Sequence, residues 1–219
     1  MVIIKKIILI LLVCVFMLLL AYFFLGLNSK PEIDKASVKE KALINYPKEF
    51  NYRQSKNDCG PFNVAATIRA LTNKDVKSAL FADEISWRLP NNYTLPWGLE
   101  KQLKKNKIRT LKPNFRKLSD DEKILLIQQY LSLGSPIIIL GERNNYEHYI
   151  TILGFDSSLD QYYVYDSLQS FLPEKKDITI DENSDFPGNK SMKSQEILDF
   201  WRGGGMYGLW EWYGLVASK

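Results

Sequence analysis

Ile7 to Leu27 is a run of 21 residues in which only Gly26 is not strongly apolar. As a helix it extends about 31 Å at ~1.5 Å per residue, which matches a bilayer core of ~30 Å. A helix apolar on every face has no polar side to turn to water, so the run reads as a membrane segment. A cleaved signal peptide has a shorter apolar stretch, ~7–15 residues, and a small-x-small cleavage site. Ala21, Gly26 and Ser29 form no such pair. An uncleaved anchor is therefore preferred over a signal segment, whose removal would make the protein secreted. Leu11-Leu12-Val13-Cys14 is a poor lipoprotein cleavage box, because Val13 is too large for it and the apolar run continues. Cys14 reads instead as a lipid-facing or packing residue. Lys5 and Lys6 precede the run and place the short N-terminus in the cytoplasm, although Lys30, Lys35, Lys39 and Lys41 beyond it blur the asymmetry. The expectation is a single-pass cell-membrane protein with its domain on the non-cytoplasmic side.

Residues 28–48 are polar and charged, with prolines at 31 and 47, and read as a spacer. Residues 49–219 are then one domain, with no internal repeat and no low-complexity tract. The chain carries 29 basic against 25 acidic residues, and without Lys5 and Lys6 the balance is 27 against 25. Such a balance argues against nucleic acid as a partner. Two cysteines and one histidine are too few for a disulfide scaffold or a Cys/His zinc site.

The first half of the domain reads as helical. Pro61 suits a first turn, and Phe62, Ala65, Ala66, Ile68 and Leu71 give helical spacing as far as Thr72-Asn73. Asp75 to Trp87 and Pro96 to Lys105 are further helices. Ser119-Asp120-Asp121-Glu122 is a capping box opening a helix that Gly134 closes. The second half reads as sheet: Pro136 to Leu140, His148 to Phe155, Gln161 to Asp166 and, weakly, Ile178 to Ile180. A helix from Ser194 to Trp201 precedes an aromatic tail, Tyr207 to Val216, of one or two closing strands. Helices first and antiparallel strands later predict an α+β fold behind one transmembrane helix.

Cys59 is the one cysteine outside the apolar run, and His148 is the one histidine in the chain. Cys59 begins a predicted helix, where unpaired N–H groups and the positive end of the dipole favour a nucleophilic thiolate. The plainer alternative is a buried packing cysteine. A hairpin symmetric about Ser157 sets His148 opposite Asp166, with Cβ atoms ~5 Å apart. The carboxylate could then hold one imidazole nitrogen while the other addresses a thiol. A slip of one residue would put the two on opposite faces. Gln54, five residues before Cys59, could donate to an oxyanion beside the backbone N–H of the nucleophile.

Gln54-Ser-Lys-Asn-Asp58-Cys59-Gly60-Pro61, with Ala65 and Ala66 beyond, resembles the nucleophile motif of a papain-like family. These are the double-glycine leader peptidases of bacteriocin exporters and their stand-alone relatives. His148-Tyr-Ile-Thr-Ile-Leu-Gly154 and Tyr163-Val-Tyr-Asp166 resemble the second block of the same family, and the match covers roughly residues 50 to 170. The resemblance implies a papain-like α+β fold, with Cys59 as nucleophile, His148 as base, Asp166 as its orienting partner and Gln54 as oxyanion donor. Ser167 stands where family members often carry proline. Unlike the exporters, this chain has one span and no ATPase.

The expectation is a membrane-anchored cysteine peptidase acting on a peptide or protein, with no metal or organic cofactor. One alternative is a transamidase or other acyl transferase using the same triad. Another is a catalytically idle peptide-binding domain. Trp201, Trp210 and Trp212 with Tyr207 and Tyr213 read as packing of the last strands rather than an aromatic groove. Gly203 to Gly205 lacks the Lys-Ser/Thr of a phosphate loop and reads as a turn. Lys101, Lys104, Lys105 and Lys107 read as a solvated helix end.

Overall fold

The computed structural model describes residues 2–25, 30–54, 57–168, 186–205 and 208–219. In chain order the elements are α1 (Val2–Leu25), β1 (Lys41–Leu43), α2 (Cys59–Thr72), α3 (Ser78–Glu84), α4 (Pro96–Lys105), β2 (Arg109–Leu111), α5 (Asp120–Ser132), β3 (Ile137–Arg143), β4 (Tyr146–Asp156), β5 (Gln161–Tyr165), β6 (Lys190–Met192), α6 (Ser194–Gly203) and β7 (Gly214–Ser218). The predicted strand Ile178 to Ile180 and Tyr207 lie outside the described residues.

α1 carries the apolar run as far as Leu25. Its described side chains cover only residues 4–20, and among the described residues no helix is long and apolar enough to cross a membrane.

One antiparallel sheet runs in the order β2-β7-β3-β4-β5-β6, with β1 also paired to β4. Both faces are covered. Alternate residues Ile137, Ile139, Ile150, Ile152 and Val164 pack on α5 and α6, together with Leu126, Ile127, Ile197 and Trp201. The intervening Ile138, Leu140, Tyr149 and Leu215 pack on α2, α3 and α4, together with Val64, Ile68, Phe81, Leu99 and Leu103. A strand buried on both faces needs no polar alternation, which is why Ile137 to Leu140 is wholly apolar.

α2 is the central helix and is buried nearly all round, including the polar Asn63, Thr67 and Arg69. It ends at Asn73, which takes a left-handed φ of 55° as C-cap. α5 starts with the predicted capping box, both Ser119 and Glu122 bonds being present. Predicted helix Asp75 to Trp87 is shorter, at Ser78–Glu84, and the aromatic tail gives one closing strand, β7.

Two expectations need correction. First, residues 28–48 are not wholly a spacer. Asp34 N–H donates to Gln129 Oε1 at 2.9 Å, and Lys39 N–H to Ser132 Oγ at 3.0 Å. β1 then pairs with β4 from Lys41 opposite Asp156 to Leu43 opposite Gly154. The charges at Lys39, Glu40 and Lys41 hide a short strand attached by its backbone pairing, with Lys41 Nζ also 3.1 Å from Asp156 Oδ2.

Second, the β4–β5 register differs from a symmetric hairpin. Ser157–Leu159 forms a 3₁₀ turn, with Asp160 left-handed at φ 49°. Asp156 faces Gln161 and Phe155 faces Tyr162, but Thr151 faces Tyr165. The register shifts between Ile152 and Gly154, leaving Leu153 as an extra residue, a β-bulge. Asp166 therefore lies diagonal to His148, two positions from the place a symmetric hairpin gives it. Without the bulge the pairing at the turn would put His148 and Asp166 on opposite faces. The bulged Leu153 carbonyl is also used, accepting from Ile44 N–H at 2.9 Å.

If residues 41–44 belong to the sheet, the Ile44 amide in the full chain should exchange with deuterium as slowly as amides of β4. Free exchange across 41–44 would return this segment to a spacer.

Candidate active site

Cys59 opens α2 behind Asp58, whose φ/ψ of −95°/18° is non-helical and whose side chain makes no capping bond. Asp58 instead pairs with Arg88 Nη2 at 2.6 Å. Gly60 lets another segment approach closely, because a Cβ there would stand 2.7 Å from Thr94 Cβ. That approach brings the loop carrying Asn91 and Tyr93 over the helix start. Cys59 itself is 6% exposed and is a free thiol.

Asn63, one turn on and fully buried, ties the turn of Cys59 to the strand of His148. Its amide nitrogen donates to the Cys59 carbonyl and to the Tyr149 carbonyl, both at 2.8 Å. Its oxygen accepts from Thr151 Oγ1 at 2.7 Å.

His148 sits near the start of β4 and is buried. Its Nε2 lies 2.8 Å from Asp166 Oδ1, and it lines the same groove as Cys59. With Nε2 on the carboxylate, Nδ1 is the nitrogen left for the thiol. Burial pushes the His148 imidazolium towards deprotonation, but the hydrogen bond and charge of Asp166, with a further contribution from the neighbouring Cys59, outweigh it and raise the pKa to about 9.

Asp166 follows β5 and is buried too. Burial alone would raise its pKa. The hydrogen bond and charge of His148, then the charges of Arg143 and Lys190, hold it down at about 2. Arg143 donates to Oδ2 at 2.7 Å, and the Leu168 N–H donates to Oδ1 at 3.0 Å. Asn189 clamps the backbone of Asp166, accepting from its N–H at 2.8 Å and donating to its carbonyl at 2.9 Å.

Gln54 is held by the residue after Asp166. Its N–H donates to the Ser167 carbonyl at 3.0 Å, and Ser167 Oγ donates to Gln54 Oε1 at 2.6 Å. With the oxygen occupied, the amide nitrogen is the end left to donate.

Gln54, Cys59 and His148 line one groove of about 810 Å³, with Tyr93, Arg143 and Glu147 among its other walls. Asp166 stands behind His148, so all four residues picked out in the sequence meet here. A thiol, an imidazole held by a carboxylate and a positioned side-chain amide are groups of the kind that acyl transfer uses.

Four contributors were not picked out: Asn63, Arg143, Asn189 and the hydroxyl of Ser167. Only Asn63 leaves a local signal, as a polar residue flanked by the apolar Phe62 and Val64 in the first half of a helix. The aromatic tail divides. Trp201 and Trp212 are core, whereas Trp210 is half-buried against Trp97.

Comparison with known proteins supplies the relationship. The peptidase domain of Streptococcus ComA, a bi-functional ABC transporter involved in quorum sensing, aligns at a TM-score of 0.46 and 15% identity, over 76% of this chain and 96% of that one. Xylellain, a cysteine protease from Xylella fastidiosa, aligns at 0.51 and 11% identity, over 88% of this chain and 91% of that one. Recombinant stem bromelain precursor aligns at 0.50 and 10% identity, over 87% of this chain and 75% of that one. At such identities the likeness to the last two is one of fold, papain-like α+β with an antiparallel sheet. No curated protein matches the chain. A family profile, however, matches residues 44–190, about two thirds of the chain, and so this protein belongs to the Peptidase_C39 like family.

Proposed function

We propose that this protein is a cysteine peptidase whose triad is Cys59, His148 and Asp166, with Gln54 as oxyanion donor. The observation that carries the reading is the buried His148, held by Asp166 through Nε2 and lining one groove with Cys59 and Gln54. His148 takes the thiol proton, and the Cys59 sulfur adds to a peptide carbonyl. The resulting oxyanion is met by the Gln54 amide and the N–H of Cys59. Collapse breaks the C–N bond, and the imidazolium gives its proton to the leaving amine. Water, deprotonated by His148, then attacks the thioester. The acid leaves, and the proton returns to the thiol.

The proposed setting is a single-pass membrane protein with this domain outside the cytoplasm. The apolar run, the 24-residue helix Val2–Leu25 and Lys5-Lys6 at its start support it. The substrate is a peptide or protein segment laid in the groove.

Iodoacetamide tests the pair without a known substrate. His148→Ala should slow alkylation of Cys59 near pH 7 about tenfold or more, since an unassisted cysteine is only a few per cent thiolate there. An unchanged rate and pH profile would make Cys59 a packing residue.

The pH dependence follows from His148. Its raised pKa keeps the imidazolium up to about pH 9, so the basic limb of kcat/KM should fall there. Asp166→Asn removes the charge that opposes burial, so the limb should move to lower pH. A limb unmoved in Asp166→Asn would remove Asp166 from the unit. For stability, the contribution of His148 is fully present below pH ~6.5 and is lost as the pH rises through about 9, whereas that of Asp166 is present above pH ~3.8 and is lost as the pH falls through about 2.

Gln54→Ala should lower kcat by about 10²–10³ with little change in KM, because the contact matters mainly in the transition state. Ser167→Ala, which frees the Gln54 amide to rotate, should lower kcat less and in the same direction. Normal turnover in folded Gln54→Ala would remove this role.

A further inference from the structure

Trp87, Trp97 and Trp210 form a ladder, with ring centroids 5.3 Å apart from Trp87 to Trp97 and 5.2 Å apart from Trp97 to Trp210. It faces outwards: Trp87 is 54% and Trp97 45% exposed, and the neighbouring Leu209 is 69% exposed. Indole rings have an apolar body and one polar N–H, and they concentrate where lipid meets water. Neither Trp87 nor Trp97 lines the groove. Asn91 and Tyr93, in the same loop as Trp87, do.

The place of the ladder in the fold gives it meaning. β3 runs towards the active site and ends there at Arg143, opposite Tyr146. β7 is antiparallel to β3, so Trp210, four residues before β7, lies at the active-site end. Trp97 opens α4 at that end as well, where Tyr213 donates to the Pro96 carbonyl and Tyr149, next to His148, donates to the Thr94 carbonyl.

The chain from α1 arrives at this same end. Lys30 pairs with Glu122 at 2.7 Å, in the first turn of α5. The adjacent Lys123 lies 3.9 Å from the ring centroid of Trp212, and Arg116 bonds the Gly208 carbonyl. From Lys30 the chain descends beside α5, to Gln129 at Asp34 and Ser132 at Lys39. Five Cα steps separate Leu25, the last residue of α1, from Lys30, and they reach at most about 19 Å. A domain of this size is roughly 40 Å across. The tether is too short to let α1 enter a bilayer facing the opposite end of the domain.

We propose that the active-site end of the domain docks on the bilayer that holds α1, through the Trp87–Trp97–Trp210 ladder and Leu209, so that the groove opens at the lipid surface. The inference rests on the anchoring reading above. It assigns a substrate class: segments at or emerging from the membrane surface, rather than peptides free in solution.

All five tryptophans lie in the domain and none in the apolar run, so indole fluorescence reports the domain and not the anchor. The full chain is reconstituted in phosphatidylcholine vesicles, with and without phosphatidylcholine brominated high on the acyl chains. Bromolipid should quench a large part of the emission. Most of that quenching should vanish in the Trp87→Ser/Trp97→Ser double variant, whose Cys59 should still react with iodoacetamide at the wild-type rate. Extraction at alkaline pH is run in parallel. If the wild type resists extraction but is not quenched, the anchor stands and the docking falls. If alkaline buffer releases it, the anchoring reading falls and takes the docking with it. Quenching that persists undiminished in the double variant would place another surface on the lipid and overturn the assignment to the ladder.

Discussion

Two charged groups buried side by side are tolerated only when each is met by a partner, and His148 and Asp166 meet each other across 2.8 Å. Removing one member of such a pair costs about 3–5 kcal/mol, because the other is left charged and unsolvated. Asp166 is met on both oxygens, by His148 and the Leu168 N–H on one and by Arg143 on the other. Arg143 is 39% exposed on its side chain, so its charge is partly screened by water and it draws less strongly on the carboxylate than its distance suggests. The carboxylate is thereby left anionic for His148, and the histidine can hold a proton in a place where burial alone would strip it.

That pair depends in turn on one extra residue in β4. Thr151 and Tyr165 share the face towards α2, and Ile152 and Val164 the face towards α5. Nearer the turn, Phe155 and Tyr162 share the α5 face although Phe155 is an odd number of residues from Ile152. Leu153 absorbs the difference. The bulge keeps both ends of the hairpin packed and still gives His148 and Asp166 one face. Nothing in the local sequence marks it. Leu153 and Gly154 read as ordinary strand residues, and the bulge is decided by what packs on each face, including β1 against Gly154.

The legible parts of the site were those with unusual chemistry at unusual positions. A single histidine and a cysteine at a helix start narrow the choice before any geometry is known. Helices with strong end signals, such as Pro96 to Lys105 and the capped α5, were legible for the same local reason. The residues that hold the site in place were not. Asn63 reaches Tyr149 across 86 residues of sequence, and Ser167 reaches Gln54 across 113. Asparagine and serine are common in loops and turns, and only the fold decides which of them are buried with a partner. Ser167 shows the point from the other direction: it stands where family members often carry proline, and its hydroxyl fixes the amide of Gln54.

The tail past the family match has a physical role in the same design. The match ends at residue 190, but β7 lies inside the sheet, hydrogen-bonded to β2 on one edge and β3 on the other. A chain stopped at 190 would leave β3 with an open edge and remove the strand to which β2 pairs. α6 covers β3 at the site: Phe200 packs on Gly141, where a Cβ would overlap it, and sets its ring edge-on to His148 at 6.3 Å. Trp201 fills the space beside Phe115 and donates its indole N–H to the Tyr213 carbonyl at 2.8 Å, which locks the start of β7. Low water access around the His148–Asp166 pair is what gives their attraction its strength. On one side of His148 that shelter comes from residues beyond the matched region. The family motifs and the tail that shields them thus form one folding unit, although only the motifs carry the signature of the family.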